Sequence, residues 1–487
     1  MNPSLAIIAL RSVVVSAMVL LAGCATPWQR PVPTVAAPER WHAPLPHTGA
    51  VTQLSAWWGQ HGDPILLELI EAAQAASPNM ISAASRVRQA QAARVAAASL
   101  LEPQVDAQAG VSRSQTQIGV PRNTALQLGV QAAWELDLWG GRALQRDAAG
   151  LRVEGAQALW HDARVAVAAE TASQVLAWRH CQRVLTTLTA DAASRAETAR
   201  LTALAAGAGF QPPAAAALAR ASAAEGKARV TAQGTQCDAD VKVLVALTAL
   251  SEPILQEKLK AASASSQELA PILIASLPAD VLAQRPDLAA AAAEVVAASA
   301  DLGASETERY PRVSLMGSIG SLDVRAGGSS THLNTWSIGP LAISVPWLDG
   351  KRRAAQVDAA RARYEEAAAL YAARARAAVR EVEAALLNLR STASRDEDAR
   401  VATVGYAAFF NATQARYRNG LANLVELEDA RRVALAADIA LQGLRLERQL
   451  AWVSLYRAAG GGWDRDTSAA TATTSAAGGP TPRSPTP

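Results

Sequence analysis

Aromatic residues make up only 4% of this 487-residue chain, although half of it is hydrophobic. The apolar share is largely alanine, which disfavours a globular core of large side chains and favours long helices in close contact. The six histidines (42, 47, 61, 161, 180 and 332) show no metal-ligand spacing. There is no nucleophile motif, P-loop or dinucleotide fingerprint, so neither an enzyme nor a metal or cofactor site is expected. Excess charge of one sign is also missing. The net charge is +3, and removing residues 1–23, whose only charge is Arg11, leaves +2. That is no footprint for nucleic acid. The apolar run after Arg11 is too short to span a bilayer as a mature helix. Cysteine is limited to Cys24, Cys181 and Cys237.

What is present begins with Arg11 and "SVVVSAMVLLAGC". A short positive region, an apolar stretch and small residues form the grammar of a secretory signal over residues 1–23. Leu21-Ala22-Gly23-Cys24 resembles a bacterial lipobox, which implies lipidation of Cys24 as the new N-terminus; the other reading is an ordinary signal with a chance cysteine. In such signals Ala25, rather than Asp, implies sorting to the outer membrane, where several acyl chains hold a protein firmly. Residues 24–55 read as a Pro-, Ala- and Thr-rich tether, and 464–487 as a disordered tail.

The folded part divides into two stretches, 56–263 and 264–463. Pro64 suits a helix start capped by Asp63, and a second helix runs from about Pro78 to Leu101, ended by Pro103. The period then changes to two. Val105, Ala107, Ala109 and Val111 alternate with polar residues, as do Leu126, Leu128, Val130, Ala132, Trp134, Leu136 and Leu138. A strand hairpin is predicted over about 103–138, turning at Val120-Pro121-Arg122-Asn123. A helical hairpin follows over about 140–250, broken at Gly207-Ala208-Gly209 and restarted at Pro212-Pro213. The order recurs: a helix over 286–309, a strand hairpin over about 311–347 with "DVRAGGSSTH" as its loop, and a helical hairpin over 349–457. In the fourth strand Trp336 and Ile338 lie on one parity and Leu341, Ile343 and Val345 on the other, which predicts a bulge at Gly339-Pro340. From Asp349 to Arg418 there is no proline, and a helix of that length is roughly 100 Å long. Val357, Tyr364, Tyr371, Ala378 and Ala385 fall seven apart, a coiled-coil interval.

"GRALQRDAA" from Gly141 aligns with "RRAAQVDAA" from Arg352, and "EPQV" from Glu102 with "YPRV" from Tyr310. The Pro-strand and Gly-helix junctions recur in order, as expected of a duplication. Four amphipathic strands cannot close a barrel, and open edges are not tolerated in lipid. Several chains must therefore contribute: two would give eight strands and a filled interior, three would give twelve and room for a pore. A soluble sheet with one wet face is the alternative. Trp134, Trp139, Trp336 and Trp347, near strand ends, read either as membrane-interface anchors or as packing at the strand–helix junction. Trp57-Trp58 read as packing residues rather than as a ligand site.

Several stretches carry a family resemblance. "LPADVLAQRPDL" from Leu277, "WWGQHGDPILLELI" from Trp57, "WELDLWGG" from Trp134, "RYPRVSLMGSIG" from Arg309 and "RYRNGLANLVELEDARR" from Arg416 resemble blocks of the TolC-like outer-membrane efflux lipoproteins, the NodT-type branch serving RND pumps. The resemblance runs from Cys24 to about Trp463. It implies an α+β membrane protein: a homotrimer with one 12-stranded outer-membrane β-barrel, four strands per chain, continuing into a long periplasmic α-helical barrel. It further implies a mixed girdle around that helical barrel, a periplasmic adaptor and an inner-membrane RND pump as partners, and passive passage of drugs or other small compounds. An exporter of polypeptides or oligosaccharides shares this architecture; a non-conducting lipid-anchored scaffold is the reading from another class. The chain departs from the family in Ala283-Gln284 before Arg285, where one residue is usually basic, and in a first tip without an acidic turn. With Gly420 set against Gly207, Asp429 pairs with Ala216.

Val425, Asp429 and Arg432 share one helix face. In related channels such residues line the closed periplasmic end, so the resemblance implies a gate; an ordinary solvated pair is the alternative. The turn around Arg416, Asn419, Gly420 and Leu421 is the expected adaptor contact, with Gly207 and Gly209 at the first hairpin. Cys181 and Cys237 are equidistant from Gly209, so an antiparallel hairpin brings them level. The oxidising periplasm permits a disulfide there, and two buried free thiols on opposite faces are the alternative.

Overall fold

The computed structural model describes residues 28–34, 37–43, 45, 57–59, 63–115, 122–262, 272 and 278–463. Cys24, the signal, Val120-Pro121 and the 464–487 tail lie outside the described residues. In chain order the elements are α1 (Pro64–Ala76), α2 (Pro78–Ser99), β1 (Gln104–Ser114), β2 (Asn123–Leu136), α3 (Gly141–Gly207), α4 (Pro213–Thr248), α5 (Glu252–Ala262), α6 (Pro278–Ala283), α7 (Pro286–Thr307), β3 (Arg312–Ala326), β4 (Ser329–Ser344), α8 (Arg352–Arg418) and α9 (Leu424–Ala458).

The duplication is visible in element lengths. α2 and α7 are both 22 residues long, and Pro78 to Pro286 is an offset of 208. α3 and α8 are both 67 residues long, and Gly141 to Arg352 is an offset of 211. The strand hairpins Gln104–Leu136 and Arg312–Ser344 are equally long, so the three extra residues lie between β4 and α8. The chain packs into two compact units, each drawing on both repeats. Unit 1 comprises 1–34, 85–157 and 290–372; unit 2 comprises 35–84, 158–289 and 373–487.

Unit 1 holds an antiparallel sheet in the order β1-β2-β3-β4, with β2 and β3 pairing across the repeat. Its register aligns the apolar residues of all four strands. Val105 faces Ala132, which faces Gly317 and then Ile338; Ala107 leads through Val130 and Ile319 to Trp336. The bulge falls at the expected place. Leu315 pairs with Leu341 and Gly317 with Ile338, so β4 carries one extra residue at Gly339-Pro340. That residue reverses parity and puts Trp336, Ile338, Leu341 and Ile343 on one face. Gly339 has φ +103°, a region closed to most side chains.

Two expectations change here. "DVRAGGSSTH" is not a loop: β3 runs to Ala326, β4 starts at Ser329, and Gly327-Gly328 turn with φ +58° and +87°. Two glycines at positive φ suit a two-residue hairpin, and backbone pairing needs no apolar side chains. The tether is also more than a spacer. In unit 1 the Trp28 indole N–H donates to the Ser299 carbonyl at 3.2 Å. In unit 2 the backbone N–H groups of His42 and Ala43 donate to the Glu383 carboxylate at 2.6 and 2.8 Å.

The tryptophans divide between their two readings. Trp134 donates to the Leu101 carbonyl and Trp139 to that of Pro311, at 3.0 and 2.7 Å, which is packing at the strand–helix junction. Trp336 and Trp347 are exposed, as membrane anchors would be.

Unit 2 has the large core. Trp57 and Trp58 are buried against Tyr456, with ring centroids 5.2 and 4.9 Å from it. Asp63 caps α1 by accepting from Leu66 N–H at 3.1 Å, and its other oxygen meets buried Arg179 at 2.5 Å. Arg285, of the "AQRPD" stretch, is buried and donates to Asp287, Glu381 and the Ala458 carbonyl. Burial opposes its charge, but those carboxylates outweigh burial and raise its pKa above the ordinary arginine value. Beside it, Gly460 has φ +82°, and a Cβ there would lie 2.3 Å from the Gln284 carbonyl oxygen. Gly405, inside α8, has nothing within 4 Å of a Cβ. Gly460→Ala should therefore lower the melting midpoint of the detergent-purified protein, by about 1–3 kcal/mol from backbone strain alone. Gly405→Ala should raise it, by about 0.5–1 kcal/mol.

Candidate functional site

The candidate site lies where the helical hairpins turn, and all of it belongs to unit 2. At the second turn α8 ends in a glycine cap. Gly420 has φ +74°, Leu421 N–H donates to the Arg416 carbonyl at 2.8 Å, and Gly420 N–H donates to Tyr417 at 3.0 Å. The Asn419 side chain donates back to Ala415 at 2.9 Å. Asn423 then caps α9 by accepting from Glu426 N–H at 2.9 Å. Arg416 bridges the turn by donating to the Leu421 carbonyl at 3.0 Å. Leu421 is left exposed at its apex.

The first turn repeats this geometry. Gly209 has φ +82° and Phe210 N–H donates to the Ala205 carbonyl at 2.8 Å. Gly420 therefore matches Gly209, at the offset of 211 shared by the helices, and not Gly207, the last residue of α3. Asp429 accordingly matches Leu218 rather than Ala216. Phe210 and Leu421 are equivalent, and both are exposed.

On α9 the structure brings Val425, Asp429 and Arg432 together on an exposed face. Arg432 donates to Asp429 at 3.2 Å, with side-chain exposures of 71% and 64%. The opposite face carries a cluster that sequence reasoning missed. Arg195, 6% exposed, donates to Asp191, Glu428 and Ser222, each at 2.7 Å. Arg431, 2% exposed, donates to Glu428 and, at 3.1 Å each, to Ser194 and Thr198. The Phe410 ring lies 5.5 Å beneath it. Burial, and then the neighbouring charge of Arg195, push the Arg431 pKa below its usual value against the pull of Glu428 and Asp191. Nearby, Thr202 and the Tyr417 hydroxyl are 2.9 Å apart. Asp191 to Arg195 and Glu428 to Arg431 are ordinary helix spacings, so the only signal in the sequence was two charge pairs with nothing to mark them as buried. The cluster ties α3 and α4 of the first hairpin to α9 of the second. Within the first hairpin, Cys181 and Cys237 form a disulfide between α3 and α4, with Cα atoms 5.5 Å apart.

A four-stranded sheet with one continuous apolar face, joined to duplicated 67-residue helices, has a specific set of relatives. The sequence profile described as outer membrane efflux protein matches residues 69–250 and 277–461. The chain belongs to that family. It is 29% identical over 475 residues to the pyoverdine export outer membrane protein OpmQ of Pseudomonas aeruginosa, covering 93% of this chain and 97% of that one. It is 26% identical to nodulation protein T of Rhizobium leguminosarum bv. viciae, over 87% of each. Among solved structures, the outer-membrane channel OprN superposes with a TM-score of 0.77 at 26% identity, covering 89% of this chain and all of OprN. The fold is thus that of the TolC-like trimeric channels, and this efflux protein is an outer-membrane channel component that extends into the periplasm. Its family consists of transport channels rather than enzymes.

Two measurements probe the site. Arg195→Ala removes the hydrogen-bonded guanidinium of buried Asp191 and one of the two that hold Glu428, and should destabilise the protein by about 3–5 kcal/mol. Asp429→Asn breaks an exposed pair and should cost about 0–1 kcal/mol; denaturant midpoints of the two variants, measured side by side, give the comparison. Mass spectrometry of unreduced periplasmic material should find no free thiol at Cys181 or Cys237, and reduction should lower stability by about 2–4 kcal/mol.

Proposed function

We propose that three copies of this efflux protein form the passive exit duct of a tripartite RND-type system, passing small compounds from a periplasmic adaptor and inner-membrane pump to the exterior. The observation that carries this reading is the sheet whose outer edges, β1 and β4, are unpaired among the described residues, joined directly to the duplicated long helices. Lipidation at Cys24 would add a second hold on the outer membrane, as its lipobox resemblance implies.

The two turns are the proposed adaptor contact. Arg416, Asn419, Gly420 and Leu421 form one, and Gly207, Gly209 and Phe210 the other. Exposed Phe210 and Leu421, on equivalent frames, offer an apolar contact at each tip. Val425, Asp429 and Arg432 are the proposed gate. Three-fold repetition turns the Asp429 carboxylate into a ring that draws cations and repels anions, and the Arg432 contact restrains it. The buried Arg195–Glu428–Arg431 cluster holds α9 in register behind that face, so the exposed charges are presented at a fixed height.

Reconstituted trimers in a planar bilayer should conduct. Asp429→Lys should shift ion selectivity toward anions, on the order of severalfold, and change the conductance. Intact trimers that never conduct would sink the duct; trimers whose selectivity and conductance ignore Asp429→Lys would sink the gate alone.

A further inference from the structure

Unit 1 contains a cleft that the duct does not use. It has a volume of about 380 Å³ and is lined by Trp28 and Arg30 of the N-terminal segment, Arg94 of α2, and Arg146, Gly150 and Glu154 of α3, among others. We propose that this cleft binds the phosphate of an anionic lipid headgroup in the periplasmic leaflet of the outer membrane, an inference that rests on the membrane placement given above.

Four observations carry it. The first is charge. Arg146 is held by Asp147 at 2.7 Å, and Glu154 also lines the cleft, but Arg30 and Arg94 have no carboxylate partner among the described residues. Guanidinium groups are the side chains best matched to phosphate oxygens, and basic pockets at membrane boundaries take anionic headgroups.

The second is construction. Trp28 is locked in place before Arg30: its indole N–H donates to the Ser299 carbonyl and lies 3.2 Å from the Ser299 hydroxyl. Its ring passes over Gly303, where a Cβ would come within 3.0 Å of Trp28 Cδ1. At Gly150 a Cβ would meet only the Arg94 Nε, at 3.9 Å, so the space beside that guanidinium is open.

The third is depth. Arg146 lies five residues into α3, which follows β2, and Arg94 lies five residues before the end of α2, which precedes β1. Five helical residues span about 7.5 Å. The headgroup layer beyond the hydrocarbon is about 5–7 Å thick on each side. Both arginines therefore lie within about one and a half helical turns of the strand–helix junctions, close to the headgroup layer of a membrane that the strands cross. Arg30 is six residues from Cys24, a reach of at most about 20 Å.

The fourth is the chain's own second copy. At the repeat offsets Arg94 corresponds to Leu302 and Arg146 to Val357, and Val357 is buried. The fold is built with apolar residues at these two places in the second repeat, so the arginines of the first are not required by it.

The test uses the full-length trimer. Native mass spectrometry with added phosphatidylglycerol or phosphatidylethanolamine should show the wild type retaining the anionic lipid in preference. The variant Arg30→Gln/Arg94→Leu/Arg146→Val, which copies the second repeat at two positions, should bind it about tenfold more weakly or worse. Replacing the same three arginines by lysine should preserve most of the preference, and serves as the folding control. No preference for the anionic lipid in the wild type, or an undiminished preference in the arginine-free variant, overturns the proposal. Displacement of the lipid by inorganic phosphate at equal concentration reassigns the cleft to a soluble anion and overturns the lipid reading. Conductance measured on the same preparations separates the two readings. Conducting trimers without lipid preference sink the headgroup site alone, and lipid preference in trimers that never conduct sinks the duct alone.

Discussion

The constraint on which the structure depends is that lipid leaves no backbone hydrogen-bonding group unsatisfied. Each chain supplies four strands whose apolar side chains share one face, but among the described residues β1 and β4 each have a free edge. Such a sheet can enter a membrane only when other chains pair those edges. The TolC-like trimer meets this condition, and twelve strands leave the interior wide enough for passage. The bulge at Gly339-Pro340 serves the same end. Without its extra residue, Leu341 and Ile343 would turn to the opposite side from Trp336 and Ile338 and break the apolar band.

The helices divide their work by face. α9 turns Leu424, Leu427, Ala430 and Arg431 inward and Val425, Asp429 and Arg432 outward. The inward charges are desolvated, so they persist only because each guanidinium is matched by carboxylates and hydroxyls. Such a cluster specifies one register between the two hairpins. The outward pair is solvated and weak, as befits residues proposed to rearrange when a passage opens. The disulfide is confined to the first hairpin: the positions matching Cys181 and Cys237 in the second repeat are Thr392 and Arg448. The two copies thus keep one geometry with different reinforcement.

Duplication accounts for much of this economy. Equal helix lengths and matching glycine caps at Gly209 and Gly420 show that both copies retain the original frame. The copies then diverge in side chains. The first tip has Ala205, Leu218 and Ala221 where the second has Arg416, Asp429 and Arg432, while the first strand–helix junction has arginines where the second has Leu302 and Val357.

The sequence by itself determined the local elements and their order. Alternation with period two marked the strands, proline and glycine marked the helix ends, and alanine-rich runs without proline marked the long helices. It even located the bulge, because a parity switch at a Gly-Pro pair leaves no other regular solution. Those signals are local, since they arise from backbone sterics and side-chain direction. Only the tertiary structure decided that Gly420 answers to Gly209, because several offsets fit an alanine-rich turn and only hydrogen bonds and φ choose between them. It alone separated buried Arg431 from exposed Arg432, adjacent residues of one type. It also brought Asp191 and Arg195 to Glu428, and Trp28 to Ser299. Burial and pairing between distant segments depend on which faces meet, and no spacing along one chain encodes that.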